Sequence, residues 1–157
     1  MKKLVVVRLT TRNGLAPNEI LNEHYQFLMN HDAVYFSTNI PASSDRFLDK
    51  LVFVLSYKGK WTCVSSDIVR YQTERKQFIP EDVNSYSPKL YRNEPKKVWY
   101  LLKNMKIESE SFAEKCLIEY SDGHSEKLSD LYSRPKWNKV FATISDENDS
   151  VFTKLLP

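Results

Sequence analysis

"DKLVFVLSYKGKWTCVSSDIVRY", residues 49–71, decides the fold. It holds two strand-like runs, LVFVLSY and KWTCVSSDIVRY, joined across Lys58-Gly59. Glycine takes the positive φ that a tight hairpin requires, so the two runs are expected to pair antiparallel. The apolar parity of the second run changes between Cys63 and Ile68, which predicts a bulge near Ser65 and Ser66.

Working outward, KLVVVRLT at 3–10 has the β-branched density of a strand, and Arg12-Asn13-Gly14 follows as a turn signal. Pro17 suits a first helical turn. Ile20, Leu21, His24, Phe27 and Leu28 then recur on one helical face as far as Asn30. AVYFST at 33–38 reads as a strand opening into a polar loop, Asn39 to Asp45, broken by Pro41. Residues 72–97 read as a long polar connection containing Pro80, Pro88 and Pro95, a length that is often functional. In the strand that follows, VWYLLKNMKI, alternation puts Trp99, Leu101, Met105 and Ile107 on one face and Val98, Tyr100 and Leu102 on the other. KCLIEY and HSEKLSDLY flank the hairpin signal Asp122-Gly123, and WNKVFATI at 137–144 supplies one more strand.

These elements predict an α+β domain: a small bent β-barrel or strongly curved, mostly antiparallel sheet with one main flanking helix. Residues 1–145 form the expected single domain, and 146–157 an acidic linker or C-terminal tail. The 157 residues suffice for a core without disulfide or metal staples. With 13% aromatic residues and three glycines, the composition favours a strand-rich core over disorder. The apolar run before Arg8 is too short for a signal peptide or a membrane span, so a cytoplasmic protein is expected.

Chemical signatures are sparse. Cys63 and Cys116 have no CxxC partner and read as buried thiols. His24 and His31 lie seven apart without the further ligands a metal site needs, and His124 follows a turn. There is no GxSxG elbow and no GxGxxG or GxxxxGK[ST] loop, so neither a catalytic set nor a cofactor is expected. Asp45 reads as loop and Asp49 as a strand start, while Asp67 stands near the suspected bulge.

Charge is more informative. Residues 70–106 carry nine Lys or Arg against four Asp or Glu, and residues 107–157 six against ten. A basic middle beside an acidic end gives one phosphate-facing surface. Within it, "SPKLYRNEPKKVWYLL" at 87–102 interleaves Lys89, Arg92, Lys96 and Lys97 with Tyr91, Trp99 and Tyr100. Cations that hold phosphates beside rings that stack on bases are what a nucleic-acid site requires.

The order of elements, with "AVYFSTN" at 33–39, "DKLVFVLSYKGKWTCVSSDIVRY" at 49–71 and "KKVWYLLKNMKI" at 96–107, resembles the PUA-like superfamily, especially its EVE and YTH-related branch. The resemblance implies a non-enzymatic reader that takes an extruded, often modified base into an aromatic-walled pocket, as in modification-dependent restriction, with a fused or separate effector. Trp61 and Trp99 would then be candidate walls, Tyr35 and Tyr100 alternates, and Ser37, Thr38, Asn39 and Asp67 candidate readers of the base edge. Lys89, Arg92, Lys96 and Lys97 are the expected phosphate contacts, and the partner is DNA or RNA. The alternative is a small phage or mobile-element protein that binds and inhibits a host protein, using the same aromatic and basic stretch as a hot spot.

Overall fold

A computed structural model describes residues 1–41 and 47–145. Asp45 and the acidic segment 146–157 lie outside the described residues.

The chain runs β1 (Lys2–Arg8), α1 (Pro17–Met29), β2 (Val34–Thr38), β3 (Lys50–Tyr57), β4 (Lys60–Phe78), α2 (Val83–Tyr86), β5 (Lys96–Ile107), α3 (Phe112–Lys115), β6 (Leu117–Glu119), β7 (Ser125–Lys127) and β8 (Lys139–Ile144). Short 3-10 turns occupy Lys89–Tyr91 and Leu128–Leu131. The strands form one eight-stranded sheet in the order β2-β5-β4-β3-β1-β8-β6-β7. β1 and β3 pair parallel, and the other pairings are antiparallel. A parallel pair needs a crossover, which α1 and β2 supply. Of the two expected forms, the barrel is not formed: β2 and β7 end the sheet on opposite sides and do not pair with each other.

The β3–β4 hairpin turns at Lys58 and Gly59, both at positive φ (52° and 74°). The register of β4 on β5 shifts between Ser65 and Asp67, at the predicted bulge, and again between Ile68 and Arg70 and between Thr73 and Phe78. β4 therefore extends well past the expected end of the hairpin. Its far half paired with β5 escaped notice because Gln72, Glu74, Arg75, Lys76 and Gln77 are exposed and show no apolar alternation. The connection shrinks to residues 79–95, punctuated by α2 and a 3-10 turn.

Three apolar clusters hold the sheet. Val5, Val7, Phe36, Phe53, Val98, Tyr100 and Leu102 face α1, with Leu21, Phe27 and Leu28 packed on them. Leu4, Val6, Val52, Val54 and Cys63 face α3 and the β6–β8 region on the other side. β1 is thus buried on both faces, which explains its unbroken apolar run. A third cluster joins Tyr35, Trp99 and Leu101 to Val83. Trp99 and Tyr100 point to opposite sides, as alternation requires. Met105 does not follow the expected parity: it joins the Tyr100 face, because Asn104 at φ 55° takes up an extra residue in β5. Cys63 and Cys116 are free and buried. Among the described residues no helix is long and apolar enough to cross a membrane.

Candidate nucleic-acid interface

The aromatic residues anticipated as pocket walls are mostly core. Trp99 is 0% exposed, meets Tyr35 edge-on at 5.6 Å, and donates Nε1–H to the Phe78 and Lys96 carbonyls at 2.9 and 3.2 Å. Its amphipathic ring is satisfied internally and offers no face to a base. Tyr35 is also buried, and its hydroxyl donates to Asp82 at 2.7 Å. Burial and that carboxylate push the phenol up to about 12. Trp61 is half-buried and engaged within the protein, stacked on Tyr132 at 5.3 Å and with the Arg8 guanidinium 5.7 Å from its ring.

Asp67 is removed from the other anticipated edge readers. It accepts from Lys50 Nζ and Asn104 Nδ2, both at 2.8 Å. Burial raises its carboxyl, but those two donors outweigh burial and hold it below the usual value. Its partners make it a brace across the β3–β4–β5 strands at the bulge.

Other anticipated residues do come together. Ser37, Thr38 and Asn39 close β2, directly across from the start of β5, where Ser37 pairs with Trp99 and Thr38 with Val98. Asn39 Oδ1 accepts the Lys97 amide at 3.2 Å, and Thr38 Oγ1 accepts the Ile40 amide at 3.1 Å. Lys96 and Lys97 therefore stand beside the Ser37–Asn39 segment. Lys89 is exposed on the preceding turn, and Arg92 donates Nη2 to the Ser87 carbonyl at 3.1 Å. Lys89 and Lys97 make no ion pair among the described residues.

Two residues at the centre of this group, Arg12 and Glu94, were missed by sequence reasoning, and Tyr91, named among the rings of 87–102, was not assigned to the site. Arg12 donates Nη1 to the Ser37 carbonyl at 2.8 Å and Nη2 to Ser37 Oγ at 3.5 Å and Glu94 Oε2 at 3.2 Å. Its guanidinium lies 4.9 Å from the Tyr91 ring centroid. Glu94 Oε1 accepts from Asn13 Nδ2 at 2.5 Å, and Lys96 Nζ stands 3.8 Å from Glu94 Oε2. Burial, with Arg12 adding to it, lowers the Lys96 ammonium despite Glu94. Arg12 and Glu94 side chains are 21% and 31% exposed, so the cluster opens to solvent.

Below it, Tyr91 is 1% exposed and its hydroxyl has no hydrogen-bond partner. Arg92 Nε and the Tyr100 hydroxyl are likewise buried and unpartnered. Burial raises the Tyr91 and Tyr100 phenols. The Tyr91 ring lies 4.8 Å from His24, which meets Phe36 at 5.6 Å, and Phe36 pairs across the sheet with Tyr100. His24 is lowered to about 4, chiefly by burial, with Arg12 acting in the same direction against a hydrogen bond to the Ile20 carbonyl. A neutral imidazole donates Nδ1–H to that carbonyl at 2.7 Å. Buried polar atoms without partners are uncommon in native proteins, and here one of them belongs to Tyr91, the ring against the charged Arg12 side chain.

A groove of about 680 Å³ lies elsewhere on α1. Leu21, Leu55, Val64 and Met105 line it, with Tyr25, Tyr57 and Ile107 exposed at its edges. It shares no residue with the Arg12 cluster.

Comparison with protein-family models, curated proteins and solved structures gives no match for this chain.

Proposed function

We propose that the protein is a non-enzymatic nucleic-acid-binding module whose site lies where Arg12, Ser37, Tyr91 and Glu94 meet. The observation that carries this reading is the buried Tyr91 ring with a cation on its face and an unpartnered hydroxyl, with Lys89 and Arg92 on its own turn and Lys96 beside Glu94. An aromatic platform, fixed groups for a base edge and free cations for phosphates are the three parts of such a site. The PUA-like resemblance points the same way and adds an extruded, modified base as ligand. Here the platform is Tyr91 rather than Trp99, and entry of a base requires Arg12 to leave the ring.

Fluorescence anisotropy with methylated and unmethylated single- and double-stranded oligonucleotides, at rising salt, tests this. The logarithm of affinity falls against the logarithm of salt by roughly 0.7 to 0.9 for each phosphate neutralised. Combined Lys89→Glu and Lys97→Glu lowers both affinity and slope. Binding that is absent, or indifferent to salt, refutes the reading.

The apolar groove favours a second reading, a protein partner seated between α1 and the β3–β5 ends. A stoichiometric complex that survives nuclease treatment and is lost with Ile107→Glu would select it. Ile107 is 76% exposed, so that change leaves the core intact.

A further inference from the structure

We infer that the seat held by Arg12 is built for guanine; this rests on the nucleic-acid reading above and names the base. Arg12 is a planar group lying over an aromatic ring, with its N–H donors spent on acceptors: the Ser37 carbonyl, the Ser37 hydroxyl and the Glu94 carboxylate. When Arg12 swings outward, it leaves a ring face bordered by acceptors, and one of them is charged. The occupant that satisfies this border is a flat heterocycle with two adjacent donors on one edge.

Donor counting separates the bases. Adenine and cytosine each place one amino donor beside a ring-nitrogen acceptor, so one of the two groups that only accept, the Ser37 carbonyl and the Glu94 carboxylate, would face another acceptor. Thymine and uracil place one N–H between two carbonyls, which is worse. Guanine alone presents two neighbouring donors, N1–H and the 2-amino group, and these replace Arg12 Nη1 and Nη2 at the Ser37 carbonyl and Glu94 Oε2, while Glu94 Oε1 stays with Asn13. Arg12 therefore stands in for the ligand. Its release is eased by an exposed exit, since its side chain is 21% exposed. Once outside, its charge lies among Lys96 and Lys97 at the phosphate-facing rim. The unpartnered, buried Tyr91 hydroxyl marks the same place as unfinished by the protein alone. Asn13, which donates to Glu94 Oε1 at 2.5 Å, fixes the carboxylate plane that the guanine edge would meet.

The test uses a labelled oligothymidylate of about ten nucleotides, a length suited to single-strand sites, carrying one central deoxyguanosine, deoxyadenosine, deoxycytidine or deoxyinosine. Deoxyguanosine binds tightest by about tenfold, the worth of one hydrogen bond to a charged group. Deoxyinosine, which lacks the 2-amino donor, loses most of that gain. Glu94→Gln levels the four oligonucleotides while keeping the salt dependence. Equal, salt-dependent binding of all four by the wild type overturns the guanine inference and leaves the nucleic-acid reading standing; absence of binding by any of them overturns both. A second arm follows the thermal midpoint of Arg12→Ala. Deoxyguanosine monophosphate raises it and deoxyadenosine monophosphate does not. A midpoint raised by methylguanidine but not by deoxyguanosine monophosphate means that the seat is an arginine socket only, which also overturns the inference.

Discussion

Trp99→Ala separates a pocket wall from a core anchor. The ring is 0% exposed, packs edge-on against Tyr35, and its indole N–H is shared between two backbone carbonyls. A buried indole removes roughly 200 Å² from water, which at about 25 cal/mol per Å² is about 5 kcal/mol. The edge-on pair adds about 1 kcal/mol, and partial collapse of the cavity returns some of the loss. The expected cost is therefore about 4 kcal/mol, a large part of the roughly 5–15 kcal/mol that holds a domain together. With a urea slope of about 2 kcal/mol/M, the unfolding midpoint falls by about 2 M. Trp99→Phe keeps most of the volume but strips the donor from Phe78 O and Lys96 O, so it loses about 1–2 kcal/mol. Urea unfolding followed by far-ultraviolet circular dichroism reads both variants. A Trp99→Ala protein of wild-type stability that has lost its ligand would refute the argument and return Trp99 to the binding surface.

His24 makes stability depend on pH. Its folded pKa of about 4 lies below the free value of 6.5, so the unfolded state takes up the proton first. The stabilisation is fully present above about pH 6.5 and is lost as pH falls toward 4, in all about 3 kcal/mol. His24→Phe removes that slope in the difference between the two unfolding curves, and parallel curves would sink the assignment. At Gly59 (φ 74°), a Cβ would meet nothing within 4 Å, so Gly59→Ala costs about 1 kcal/mol from backbone strain alone; thermal unfolding that shows no loss would mean the turn relaxes. Asp67→Asn should cost less than about 1 kcal/mol, because the Lys50 ion pair is partly solvated, with the Asp67 side chain 42% exposed. Unchanged oligonucleotide affinity is expected for that variant, and a loss would restore Asp67 to the site.

Local signals in the sequence carried the hairpins and the helix. Lys58-Gly59 and Asp122-Gly123 set turns by backbone geometry, and Pro17 with the Ile20-to-Leu28 spacing set α1. What stayed hidden is non-local. The parallel register of β1 on β3 and the antiparallel seat of β8 against β1 depend on which strands meet, and no stretch of either strand encodes its neighbour. Hence the sequence leaves a closed barrel and a curved sheet as alternatives, and the parallel β1–β3 pair of the open mixed sheet is not legible in it. Trp99 failed for a related reason: an indole beside lysines looks the same whether the next layer is solvent or the segment containing Phe78 and Val83. The family name drawn from the resemblance has no matching family model, curated sequence or solved structure beside it.

The site divides in the same way. Ser37, Thr38, Asn39, Lys96 and Lys97 were legible because β2 and β5 are strong strands whose ends meet. Arg12 and Glu94 were not, since each lies in a turn with no periodicity to fix it. They stand 82 positions apart in sequence yet meet at 3.2 Å over a ring contributed by a 3-10 turn. One clue was available: Tyr91 is the aromatic centred among the cations of 87–97, whereas Trp99 is already inside the strand. Tyr91 is as buried as Trp99, but its ring is covered by the Arg12 side chain, itself 21% exposed, and not by neighbouring strands. A ring at the fourth position of a twelve-residue central strand is enclosed by its neighbours on both edges. Position along the element, more than residue type, therefore separates the proposed platform from the anchor.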